Sequence, residues 1–209
     1  MKKHIIRYAS FAFAILGMVS CSEEQETALR PQDAKSTPMT FLVSHPGQAT
    51  RATETSFEQN DRIGLYVADA KAQLEIGGNL VNNEALTYDG SKWAAARTLY
   101  WDKGTYTAYA YYPYMEDVSS ITDQPFSVVL DQSSTKSKEA LGGYEASDLL
   151  FACSKNISAS ASPIPLNFKH IMSKLKIRLV KGEDFEGDMP TTAQVTIHNT
   201  VPTATIDLQ

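Results

Sequence analysis

Thr105-Tyr106-Thr107-Ala108-Tyr109-Ala110-Tyr111-Tyr112, stopped by Pro113, is the stretch that decides what kind of fold this chain adopts. Aromatic and β-branched residues dominate it. Such side chains suit a pleated surface and lose rotamer freedom in a helix. Proline ends the run because it brings no N–H to a ladder. The turn formers Asp102-Lys103-Gly104 stand just before it, and Thr98–Trp101 reads as a strand on their far side. Further back, Leu86–Trp93 reads as a hairpin around Asp89-Gly90, a dipeptide that supplies the positive φ of a tight turn.

Working outward, the same β character continues. Met39–Val43 is a short apolar strand, and Arg62–Val67 sets Ile63, Leu65 and Val67 on one face with Tyr66 on the other. Phe126–Leu130, Leu149–Cys153, Ile164–Phe168, Gln194–His198 and Ala204–Leu208 follow. Lys174–Val180 has the cleanest alternation, with Leu175, Ile177 and Leu179 predicted inward and cations outward. Gln132–Tyr144 reads as a loop rich in Ser, Lys and Gly, whose Glu139–Tyr144 end has room for a helical turn. Roughly ten short strands with turns between them, and no sustained helical period past the leader, predict an all-β antiparallel sandwich. The sequence stops within the last strand, at Thr205–Gln209, so this strand either closes the sheet or belongs to a fragment of a longer protein.

The leader says where such a sandwich would reside. Lys2, Lys3 and Arg7 form a positive head, and the apolar run Tyr8–Val19 follows. A run of about a dozen residues is too short to cross roughly 30 Å of hydrocarbon, so it reads as an export signal. Met18-Val19-Ser20-Cys21 resembles the lipobox of bacterial lipoproteins, with Met18 where Leu is more usual, and Ser22-Glu23-Glu24 resembles an acidic surface-export tag. These observations divide the chain into a lipoprotein signal peptide (1–20), a flexible tether (21–38) and a β-sandwich domain (39–209).

Composition excludes several functions. A net charge of −5 over 209 residues offers no basic field for nucleic acid. The two cysteines are Cys21 and Cys153, and lipidation of Cys21 would leave no internal disulfide. Cys153, within Leu149-Leu150-Phe151-Ala152, reads as a small buried hydrophobe. His4, His45, His170 and His198 are scattered without zinc spacing, and His170 reads as a structural or edge residue. No catalytic constellation, metal site or cofactor motif emerges. Trp93, Trp101, Tyr100 and Tyr106 begin a crowded aromatic span. Trp93 and Trp101 are its candidate binding residues, although in a sandwich such rings mostly fill the core.

Several segments, taken in order, resemble the fimbrillin-like family of Bacteroides-type bacteria, lipoprotein pilins that include fimbrial subunits and their anchors. They are Arg51-Ala52-Thr53, Ser56-Phe57-Glu58, Asp61–Tyr66, Tyr88-Asp89-Gly90 with Trp93, Tyr100-Trp101, Ala110–Tyr114, Asp131-Gln132-Ser133, Ser147–Leu150 and Phe168–Leu175. The resemblance implies an antiparallel Greek-key (transthyretin-like) β-sandwich after a cleaved lipoprotein signal peptide. It matches the family's N-terminal domain, which members usually follow with a second sandwich. It further implies a structural or adhesive subunit of surface fimbriae, not an enzyme, anchored to the outer membrane through Cys21 and part of a fimbrium once processed. Cleavage between Arg51 and Ala52 would remove the leader and first strand, and other fimbrial subunits would join by donating a strand to the vacated groove. The alternatives are a non-polymerising surface lipoprotein that binds glycans, host proteins or bacterial surface ligands, and, more weakly, a carbohydrate-active lipoprotein.

Overall fold

The computed structural model describes residues 37–47, 56–137 and 140–209. In chain order the elements are β1 (Phe41–Ser44), β2 (Arg62–Asp69), β3 (Val81–Tyr88), β4 (Trp93–Ala95), β5 (Thr105–Tyr112), β6 (Gln124–Ser127), α1 (Gly143–Ser147), β7 (Leu150–Ser158), β8 (Ile164–Asn167), β9 (Lys169–His170) and β10 (Thr203–Ile206). Six of them form one sheet in the order β4-β3-β2-β5-β7-β9, antiparallel throughout. The aromatic strand β5 lies inside it, between β2 and β7.

Both faces of this sheet are covered, and the pleat explains how one strand serves both. Ile63, Leu65 and Val67 of β2 share a core with Tyr106, Ala108, Ala110 and Tyr112 of β5 and with Leu150 and Ala152 of β7. Met39, Trp101, Leu166 and Phe168 complete that core. The intervening residues Tyr66, Ala68 and Tyr111 enter a second core with Leu149, Phe126, Ile206 and Leu208. Phe126 and Ile206 come from the small antiparallel β6–β10 sheet. Period-2 alternation with large apolar groups on both sides is the signature of a strand buried on both faces.

Gly64 marks where this packing is tightest. It lies opposite Tyr111 across the β2–β5 ladder, and a Cβ at Gly64 would run into the Tyr111 ring. That ring is fixed at its far end: Tyr111 Oη donates to Asn83 Oδ1 at 2.5 Å and to the Met115 carbonyl at 3.1 Å. Asn83 has a φ of 41° and lies where the β2–β3 register shifts between Leu65 and Val67. The bulge turns its amide towards the ring.

The all-β sandwich predicted from the strand pattern is the fold observed. Several elements differ in detail. The β1–β8 pair is parallel, an exception to the antiparallel expectation. Thr98–Trp101 makes a single bridge, Pro38 to Tyr100, in place of a full strand. The helical turn falls at Gly143–Ser147, at the end of the window expected for it. Lys174–Val180 and Gln194–His198 form no β-strand among the described residues, and Leu175, Ile177 and Leu179, expected inward, are 69%, 48% and 51% exposed. Alternation specifies which side chains share a face. It does not supply an edge to pair with, and after the two residues of β9 the chain leaves the sheet. Cys153 is exposed, contrary to the expected burial. It alternates with the inward Leu150 and Ala152, so it stands beside Tyr109 on the opposite face.

Gly64→Ala is expected to lower stability by about 1–3 kcal/mol in urea unfolding through overpacking against Tyr111. Gly77→Ala is the control: a Cβ there meets nothing, so its change should stay within about 0.5 kcal/mol.

Candidate functional site

The feature with functional geometry is β1 and its seat. From Thr37 to Ser44 the chain is bonded through its backbone on two sides. Towards the first, Met39 N–H donates to the Leu99 carbonyl at 2.8 Å, and Trp101 N–H donates to the Thr37 carbonyl at 3.0 Å. Towards the second, Ile164 N–H reaches the Thr40 carbonyl at 2.8 Å and Phe168 N–H the Ser44 carbonyl at 3.1 Å. Met39 is buried, and Phe41 and Val43 are half-buried against the first core. Leu42 points out to solvent. An apolar residue at every second position therefore plugs a slot between Leu99–Trp101 and β8.

The far end of β1 runs into a mixed aromatic and charged cluster. His45 packs edge-on against Phe57, with ring centres 4.8 Å apart, and lies 6.0 Å from the His170 ring. Phe57 in turn meets Trp93, Tyr112 and Phe168 at 5.0, 5.6 and 5.6 Å. His170 Nδ1 is 2.8 Å from Asp148 Oδ1. Beneath them Asp61, only 4% exposed, accepts from Glu58 N–H at 2.7 Å and from Lys136 Nζ at 2.5 Å. Burial alone would lower the Lys136 pKa, but the Asp61 and Glu58 carboxylates outweigh it and raise it. Burial, reinforced by the charge of Asp61, pushes the Tyr112 phenol well above its ordinary value.

The small cavity here, lined by His45, Phe57, Asp61 and Lys136, holds about 40 Å³. That is space for a few waters and far below what a sugar ring needs. Among the described residues no group of three or more His, Cys, Asp or Glu side chains is placed to hold a metal.

The residues singled out in the sequence fall differently. Cys21, Arg51 and Ala52 lie outside the described residues. Trp93 and Trp101 do not form an exposed platform: they are 8% and 2% exposed and belong to the first core. Trp93 stacks on Tyr88 at 5.2 Å across the β3–β4 ladder, and Trp101 lies 5.8 Å from Tyr106. The ladders place such rings inside, since each follows the inward alternation of its segment. The meeting of His45 with His170 was not evident from the sequence, where 125 positions separate residue 45 from residue 170. The one available signal was local: each His directly follows or ends a short β segment.

The fimbrillin-like family profile matches residues 50–209 of this chain. The chain belongs to the fimbrillin-like family. A protein of Bacteroides ovatus named as a fimbrium tip subunit (Fim1C) is 29% identical over 133 residues, which cover 59% of this chain and 24% of that relative. The fimbrillin-like chain thus aligns with about a quarter of the relative's length. Among solved structures, a fimbrial protein from Bacteroides ovatus is similar at a TM-score of 0.43 and 22% identity, covering 64% of this chain and 28% of the other. A cell adhesion protein from Bacteroides uniformis is similar at a TM-score of 0.44 and 21% identity, covering 64% and 48%.

Asp61→Ala removes the acceptor shared by Lys136, Glu58 N–H and Tyr112, and is expected to cost about 1–3 kcal/mol in chemical denaturation. Lys136 is partly exposed, so water takes up its charge and holds the loss below that of a fully buried pair.

Proposed function

We propose that this protein is a structural or adhesive subunit of a cell-surface fimbrium, and that β1 is its removable strand. The observation that carries the reading is the two-sided backbone bonding of Thr37–Ser44 in an apolar slot. Removing that segment would strip the β8 edge and the Leu99–Trp101 edge of their partners and uncover Ile164, Leu166 and Trp101. An unpaired edge beside an apolar groove is what a strand from another chain can complete.

Arg51-Ala52 is the cleavage position on this reading, six residues past His45 in the link to Phe57. Cys21 carries the lipid that holds the precursor at the outer membrane until cleavage. Membership of the fimbrillin-like family supports the fimbrial assignment, as does the partial match to a fimbrium tip subunit. Glycan binding through Trp93 and Trp101 draws no support from the burial of both rings.

Trypsin treatment of the folded full-length chain tests the proposal. Cleavage after Arg51 should yield a product starting at Ala52 that forms SDS-resistant oligomers with uncleaved chain, while Arg51→Ala stays monomeric. A trimmed product that remains monomeric and keeps its melting temperature would overturn it.

A further inference from the structure

We infer that His45 and His170 form a pH-dependent latch on the downstream end of β1, which holds the strand when His45 is neutral and loosens when it is protonated. The geometry requires a neutral ring: His45 Nδ1 accepts a hydrogen bond from Gly47 N–H at 3.3 Å, which a protonated nitrogen cannot do. The same ring is wedged edge-on against Phe57, so it cannot turn to solvent without leaving its place. The residue immediately before it, Ser44, makes the last contacts of β1: its carbonyl accepts from Phe168 N–H and its Oγ donates to Asn167 Oδ1 at 2.6 Å. A ring forced out of this corner pulls directly on those bonds.

The surrounding charges set the direction. His170 of β9 faces His45 at 6.0 Å and is itself paired with Asp148, and a positive charge there disfavours a second one on His45. Asp148 and Asp61 attract a proton to His45, but Asp148 is spent on His170 and Asp61 on Lys136. Glu58 is paired with Lys136, and Glu145 of α1 lines the same cavity. Tyr112, whose phenol burial pushes well above its ordinary value, and Tyr144 complete the wall of that cavity. Burial, followed by the charge of His170, holds the His45 pKa below its ordinary value of 6.5. The neutral ring is favoured while β1 is seated and a protonated ring once it is released. The latch therefore contributes fully above pH 6.5 and is lost progressively as pH falls through that value towards the lowered pKa.

Opening of β1 needs no cleavage, so the latch can be measured apart from strand exchange; only its consequence for assembly rests on the function proposed above. Hydrogen exchange of the uncleaved full chain, corrected for intrinsic pH dependence, should show protection over residues 40–45 falling by roughly threefold or more between pH 7.5 and 5.5, while β2 and β5 hold theirs. His45→Asn keeps an acceptor near the Nδ1 position and removes the titration, so its protection should not change with pH. An equal loss in the His45→Asn variant, or a uniform loss across β1, β2 and β5, overturns the latch. An NMR titration of the wild-type ring decides it without any variant: His45 should titrate below 6.5, and a midpoint at or above that value refutes the proposal.

Discussion

The register of β2 against β5 is the constraint on which the rest of this fimbrillin-like sandwich depends. It sets Gly64 beneath the Tyr111 ring, so that a large side chain on one strand is matched by an absent one on the other. From that match the two cores separate cleanly. Ile63, Leu65 and Val67 take one side and Tyr66 and Ala68 the other, and a slip by one residue would exchange the two sets. Tyr111 is then tied down by Asn83 and the Met115 carbonyl, which joins the register to the β3 bulge. Deep burial of the phenol, opposed by those hydrogen bonds, raises its pKa and keeps it a neutral donor.

Much of this was legible in the residues themselves. The Tyr-rich β5, the Asp89-Gly90 hairpin and the alternation of Arg62–Val67 are local signals, and local signals survive folding when the segment sits inside a sheet. In the hairpin Asp89 Oδ1 accepts from Ser91 and Lys92 N–H, both at 2.8 Å, and Gly90 takes a φ of 99°. Lys174–Val180 shows the limit of the same reasoning. Its pattern is stronger than that of β1, yet β1 joins a strand ladder and Lys174–Val180 forms none among the described residues, because a ladder depends on which edges the rest of the chain leaves open. Cys153 shows another. Its apolar neighbours suggested a core position, but the strand is buried on one face beside it and open on the other.

The site was less legible, for a physical reason. Its parts arrive from β1, the segment before β2, the loop carrying Lys136, α1 and β9, and no spacing in the chain records that they converge. Asp61 read as part of a family motif, whereas its burial and its three partners appear only once Lys136 and Tyr112 are folded over it. The aromatic wealth of the sequence was visible from the outset. Its destination, a hub around Phe57 and not a surface platform, was set by the inward alternation of the ladders.

The parallel pairing of β1 with β8 bears on how any assembly built through this slot would grow. Parallel ladders carry evenly spaced, slanted bonds, and the donors offered by Ile164 and Phe168 are set out for a strand running in the direction of β1. A substitute strand that keeps those bonds must enter with the same polarity. The contact would then join one face of a subunit to a different face of the next, and an interface of that kind does not close on itself as a twofold pair does. On the strand exchange proposed above, repetition without ring closure would give a filament with distinguishable ends, one presenting an empty slot and the other an unused strand. Direction in the fibre would thus follow from the direction of four residues in the fold.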